Sequence, residues 1–321
     1  MDCINDATFL SRKINKQFIV PVEYVISLDT QILSYLYRKL KGQIKELPAG
    51  IEEIIQIIKN EKCEVDCLAY MLENTLFNPE FIKNDLYKKN IRAFESYFCT
   101  KPEDSAKQIL NMQQKIQENA YGTYLKRAYK QIYLYLLVMV ELNLNHSSLD
   151  VDTRELKFLE YCHEKIHIVS DREANLAKLY FMYGRNIRFF GKIQKNRPDI
   201  AKNLQNMAWD IFHIHNTMNN ANFSTAFHGS IVIPYFITFD NRLNDILGLY
   251  QIDAYAHINN TTEMHYKYHT NLLNENNRQK FFSPKYFFAR NQLRPDDETL
   301  LNLIETEISI YEKKLGPKDK N

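Results

Sequence analysis

Four acidic side chains stand where carboxylates could do chemical work. Asp29 and Asp240 each end a strand-like apolar run, in EYVISLDTQIL (Glu23 to Leu33) and PYFITFDNRL (Pro234 to Leu243), and a helical-looking segment follows each. Glu73 lies in the apolar helical stretch DCLAYMLENTL and Asp210 in MAWDIFHIHNTM. A lone charge among such neighbours is costly unless it faces a site. Asp is a favoured helix N-cap, because its carboxylate accepts the amide protons of the first turn, so either aspartate alone reads as a cap. The pair reads differently. In an open parallel α/β sheet, ligands bind at the carboxyl ends of the strands, and both aspartates fall there. Three or four converging carboxylates hold hard, oxygen-seeking Mg²⁺ or Mn²⁺. Such ions generate a hydroxide nucleophile from water and neutralise charge on a phosphodiester.

A competing motif is His163-Glu164-Lys165-Ile166-His167, which matches the H-E-x-x-H signature of helical zinc peptidases. Glu173 follows at a distance suited to a third ligand. Against that reading, Ser170 replaces the glycine of the long form, and Ser170-Asp171-Arg172-Glu173 forms a capping box that opens a new helix. Paired surface or half-buried histidines are the plainer expectation. Cys63 and Cys67 lack the C-x₂-C spacing and read as thiols of the interior. His213 follows Asp210 by one helical turn, so both can face a cleft, whereas His213 and His215 point to different faces.

Basic residues interleave with aromatics in YLKRAYKQIY (124–133) and in YGRNIRFFGKIQKNR (183–197). The second carries Arg185, Arg188, Lys192, Lys195 and Arg197 among Tyr183, Phe189 and Phe190. On a nucleic-acid enzyme such a face holds phosphates and stacks unpaired bases. The alternative is a solvated charged face over core aromatics.

The elements that must position these groups are mostly helical. Residues 19–28 and Ser230 to Phe239 are the strand-like runs, and QIDAYAHI (251–258) is a candidate third strand. IEEIIQIIKN (51–60) is amphipathic, DCLAYMLENTL (66–76) more apolar, and 78–206 holds almost only helical patterns. Asp199 to Met218 continues in the same way, and Asp296 to Leu315 is an amphipathic tail helix. The expectation is an α/β fold dominated by helices.

Composition bounds the rest. Eight glycines and nine prolines leave few residues for tight hairpins. With 41 Lys and Arg against 39 Asp and Glu, the net charge of +2 announces no polyanion partner, although a local basic face matters more than the sum. Five irregularly spaced cysteines suit reduced thiols, and MDCINDATFL lacks the basic start and apolar core of a signal peptide. The apolar run Ile132 to Leu142 is too short to span a bilayer and reads as a buried helix. Together these predict a soluble cytoplasmic protein with no membrane partner.

VISLDTQIL and FITFDNRL resemble the first and last motifs of the PIN-domain ribonucleases. The first is an apolar strand, Asp, a small hydroxyl residue and an apolar helix start; in the last, Thr precedes the final acid by two, as Thr238 precedes Asp240. The resemblance implies a PIN-like parallel-sheet core with helices on both faces, formed by 1–77 and 205–260. A helical insertion would occupy 78–204 and a C-terminal helical extension 261–321. It implies Asp29, Glu73, Asp210 and Asp240 as ligands of Mg²⁺ or Mn²⁺, and Thr238 as a hydroxyl orienting a carboxylate or bound water. It implies an endoribonuclease acting on RNA, with single-stranded DNA as the other substrate. A small intracellular nuclease needs restraint, so an inhibitor or regulatory protein is an expected partner, and a homo-oligomer is a further expectation. The chain departs from the pattern at Gln31, where the family often has Asn, and in the long gap between Glu73 and Asp210. A non-catalytic interaction protein on the same fold is the reading from another class.

Overall fold

The computed structural model describes residues 22–61, 63–98, 110–111, 113–228, 231–250, 252–258, 261–266, 272–286, 292 and 294–316. In chain order the longer elements are β1 (Val22–Leu28), α1 (Thr30–Leu40), α2 (Ile51–Glu61), β2 (Glu64–Asp66), α3 (Leu68–Thr75), α4 (Asp85–Phe98), α5 (Asn119–Asn145), α6 (Val151–Ile166) and α7 (Asp171–Tyr183). There follow α8 (Ile200–His228), β3 (Ile231–Ile237), β4 (Ile252–Ile258), β5 (Thr261–Tyr266), α9 (Glu275–Phe282) and α10 (Asp297–Leu315). The fold is helix-dominated, with a small parallel sheet. The chain divides into two compact units, the first of residues 1–122, 213–239 and 255–264 and the second of 123–212, 240–254 and 265–321.

The first unit is built on a three-stranded sheet of order β2-β1-β3. Both pairings are parallel, with Ser27 opposite Asp66 on one side and Leu28 opposite Ile237 on the other. A central parallel strand is covered on both faces, and its sequence is correspondingly a near-continuous apolar run. Ile26, Ser27 and Leu28 are buried. Parallel strands need a crossover, and α1 and α2 supply it between β1 and β2. Each turns one apolar stripe inward, Ile32, Leu33 and Leu36 on α1 and Ile51, Ile55 and Ile58 on α2. Each such side chain contributes about 1.5–3 kcal/mol by leaving water. Further helical packing comes from α3 and α4, where Tyr70 stacks on Tyr87 with centroids 5.4 Å apart and its hydroxyl accepts from Asn90 Nδ2 at 3.0 Å.

Two elements differ from the sequence expectation. Asp66, expected as the first residue of a helix, is instead the last residue of β2, because Glu64–Asp66 finds ladder partners on β1. The run 252–258 is a strand, yet it pairs with β5 in a separate two-stranded sheet.

The second unit is helical and contains most of α5. Every residue from 133 to 140 is buried, as expected of an apolar run that lies inside a protein. Among the described residues no helix is long and apolar enough to cross a membrane. Polar pins fix α10 within this unit: Arg127 Nε donates to Asp297 at 3.0 Å, Tyr133 Oη to Glu312 at 2.6 Å and Tyr161 Oη to Glu307 at 2.8 Å. Asp296 caps α10 by accepting from the amides of Glu298 and Thr299. The capping box expected at Ser170 is not closed: Ser170 stands at the N-cap position of α7 without a side-chain capping bond, and Glu173 is buried.

Candidate functional site

Asp29 is delivered by two backbone facts. β1 ends at Leu28, and Asp29 continues in extended conformation (φ −60°, ψ 149°) to the N-cap position of α1. Its amide donates to Ile237 O at 3.0 Å, extending the β1–β3 pairing. The carboxylate does not do a cap's work: it makes no side-chain capping bond to α1, and the Gln31 amide is only a lesser influence on its proton. Instead Thr238 Oγ1 donates to Asp29 Oδ2 at 2.6 Å. The register explains the meeting, since Asp29 and Thr238 are one step beyond the last ladder pair, Leu28 and Ile237. Burial pushes the Asp29 carboxyl above the ordinary carboxylate range, against the opposing pull of Thr238 and His213.

Glu73 projects from α3 with its side chain 38% exposed. Thr30, the residue after Asp29, donates through Oγ1 to Glu73 Oε2 at 2.5 Å. His213, buried on α8, places Nε2 3.9 Å from the same oxygen, an ion-pair distance rather than a hydrogen bond. Burial raises the Glu73 carboxyl, but His213 and Thr30 outweigh it and leave the group below its usual value. Asp29 and Glu73 are thus joined through one dipeptide, Asp29-Thr30.

A third carboxylate belongs here that the sequence reading did not single out. Asp66, at the carboxyl end of β2, accepts from Ser27 Oγ at 2.8 Å and from the Leu68 amide at 2.9 Å. Burial pushes it up, with the Leu68 amide and the Ser27 hydroxyl pulling the other way. The signal was present as EVD running into a helix, the same arrangement as VISLD and FITFD. A three-residue strand is too short to show alternation. Each of these three acids therefore has its own hydroxyl: Thr238 for Asp29, Thr30 for Glu73, Ser27 for Asp66. His213 favours the ionised form of all three.

Asp210 and Asp240 belong to the second unit. Asp240 lies past the end of β3, and its carboxylate is held by Arg242. The Arg242 amide and Nε donate to Oδ1 at 2.9 and 2.8 Å, Nε also reaches Oδ2 at 2.9 Å, and Nη2 donates to Oδ2. Arg242 holds the Asp240 carboxyl below its ordinary value, and the charge of Asp210 acts on the same guanidinium. The structure thus brings Asp29, Glu73 and Thr238 together in one unit, and relates Asp210 and Asp240 through Arg242 in the other. Among the described residues no three His, Cys, Asp or Glu side chains form a ready-made metal shell.

The basic stretch 183–197 is a loop with short helical turns. Phe189 and Phe190 are core residues, and Phe190 stacks on Tyr180 with centroids 4.0 Å apart, whereas Tyr183 is 50% exposed. Arg185, Arg188, Lys192, Lys195 and Arg197 are all exposed. Arg188 pairs with Asp245 and Arg197 with Asp199, while Arg185 and Lys195 reach the carbonyls of Gly191 and Leu144 at 3.4 Å. In the other stretch Arg127 is spent on Asp297 and Tyr129 and Tyr133 are buried.

α6 ends at Ile166, and His167 lies beyond it in left-handed conformation (φ 52°). The helical i, i+4 geometry of the H-E-x-x-H signature is therefore not formed. His163 packs against Tyr286, centroids 4.6 Å apart. Cys63 and Cys67 flank β2 and form no disulfide; Cys67 is buried as expected, whereas Cys63 is only half-buried. No family model matches the chain, and neither a curated protein nor a solved structure matches it.

Proposed function

We propose that the chain is a divalent-metal-dependent nuclease with a PIN-like core, and that it hydrolyses phosphodiester bonds of RNA. The observation that carries this reading is the conduct of Asp29. A carboxylate at a helix N-cap position, where capping would stabilise the fold by about 1 kcal/mol, is turned away to a hydroxyl and kept part-buried at the carboxyl end of the central strand. Such an arrangement costs stability and is found where function requires it.

The donor set suits a hard cation: Asp29 and Glu73 offer carboxylate oxygens, each oriented by a hydroxyl that engages one oxygen. When bound there, Mg²⁺ or Mn²⁺ would lower the pKa of water and offset charge on the phosphate. Thr238 fixes the Asp29 carboxylate, Thr30 fixes Glu73, and His213 Nε2 lies 3.9 Å from the same Glu73 oxygen. The reaction is hydrolysis. Water oxygen bonds to phosphorus as the P–O bond to one sugar breaks, and that sugar oxygen takes up a proton. Glu73, the more exposed of the two acids, is the candidate to accept the proton of the attacking water.

The second reading, a non-catalytic interaction protein, is favoured by one observation, the full engagement of Asp240 with Arg242. One experiment separates the two. Purified protein with Mn²⁺ is expected to cut a labelled single-stranded RNA, and Asp29→Asn is expected to reduce cleavage at least ~100-fold with unchanged circular dichroism. Full cleavage by Asp29→Asn, or no Mn²⁺ binding by the unaltered protein, rejects the nuclease.

A further inference from the structure

The Asp240 carboxylate has about four lone-pair sites, and three N–H groups of Arg242 already occupy both of its oxygens. A cation bound by Asp240 would have to displace a guanidinium. A second arginine in the same unit is held in the same manner. Arg188 directs its amide, Nε and Nη2 at Asp245, at 2.7, 3.0 and 2.6 Å. Asp240 and Asp245 bracket one short turn, and the helical turn 188–190 packs against residues 243–245.

We infer that Asp240 is a brace for Arg242 rather than a metal ligand, and that Arg242 and Arg188 together form a binding site for the backbone phosphates of single-stranded RNA. The inference rests on the nuclease reading only for the kind of anion. Each guanidinium has five donors, and its brace uses Nε and one Nη2 hydrogen, leaving about three for a ligand. The side chains are 36% and 59% exposed, so those donors are reachable. Bracing matters because an unrestrained arginine carries about 2 kcal/mol of rotamer entropy that binding would otherwise remove. Phosphate oxygens match the planar fork, and two such forks, braced by the carboxylates at the two ends of one turn, suit two phosphates of one strand.

The local charges decide how the site works. Arg188, Lys192 and Arg242 face Asp240, Asp245 and the more distant Asp210, so the balance is near neutral. Recognition therefore depends on directed N–H groups more than on a broad positive field. Polyanion attraction alone would not single out these two arginines from the rest of the 183–197 loop.

The probe is a fluorescein-labelled single-stranded RNA dodecamer, titrated by anisotropy in EDTA so that cleavage plays no part. Arg188→Ala/Arg242→Ala is expected to weaken binding at least tenfold. It should also reduce the slope of log affinity against log salt by about 1.4, for two phosphate contacts at about 0.7 each. Arg188→Lys/Arg242→Lys, which keeps charge but loses the fork, is expected to fall between and serves if the alanine variant does not fold. Asp240→Asn is expected to weaken RNA binding severalfold while leaving the Mn²⁺ stoichiometry, read by electron paramagnetic resonance, unchanged. The inference is overturned by no RNA binding in the unaltered protein, by wild-type binding and salt slope in the alanine or lysine pair, or by loss of a metal equivalent in Asp240→Asn. Cleavage is scored separately, so a catalytically silent protein that still binds RNA through these arginines rejects the nuclease and keeps this site.

Discussion

Thr238 donates its hydroxyl to the carboxylate of Asp29 across 209 positions of sequence, at 2.6 Å. The bond exists because β3 lies beside β1 in register, so it reports both the assembly of the sheet and the readiness of the site. Thr238→Val keeps the shape of the side chain and removes the donor. Mn²⁺ affinity by calorimetry is expected to drop about tenfold, the usual cost of losing a group that orients a metal ligand. Thr238→Ser is expected to restore most of it. An unchanged affinity in the valine variant refutes the orienting role.

Asp66 predicts a pH effect of definite sign. Burial raises its carboxyl above the ordinary 3.8, so the folded chain holds this proton more tightly than the unfolded chain. The group therefore contributes stability at pH below 3.8, and that contribution is lost as pH rises from there through the raised value. Asp66→Asn cannot ionise and removes this loss. Urea unfolding of the two proteins at a series of pH values should show the variant gaining relative to the wild type as pH rises. Parallel curves across that range would contradict it.

Lys178 and Glu155 form a buried ion pair in the helical unit, with side chains 8% and 0% exposed and 2.6 Å apart. Glu155 also accepts from the Asn274 amide and from Asn277 Nδ2, each at 3.0 Å. Lys178→Met leaves a carboxylate buried without its cation and is expected to destabilise by about 3–5 kcal/mol in urea. Glu155→Gln still accepts from both asparagines and should cost less. Equal costs would mean that the ion pair is not what the two asparagines are organised around.

What could be read beforehand, and what could not, follows from the range of each interaction. β1 and β3 are long enough for their apolar runs to show, and the acids that drew attention follow within three residues of their ends. β2 has three residues and owes its existence to β1, so neither it nor Asp66 shows a local pattern. Whether Asp29 caps its helix depends on Thr238, which is remote in sequence, and no local rule reaches that far. Arg242 is the opposite case. It stands two residues from Asp240, within reach of an Asx-type turn, and the D-x-R spacing was available as a sign of a carboxylate already engaged.

The position of β1 in the middle of its sheet has a consequence for how the molecule is made. Val22–Leu28 leaves the ribosome before its partner Ile231–Ile237, which emerges roughly 10–40 s later at ordinary translation speed. Through that interval one edge of the central strand has no neighbour. Parallel pairing over such separation is slow and exposes the edge to other chains. A nascent chain interrupted before β3 would carry Asp29 without Thr238 and an open apolar strand besides. It would be a substrate for chaperones before the Asp29–Thr238 contact could form.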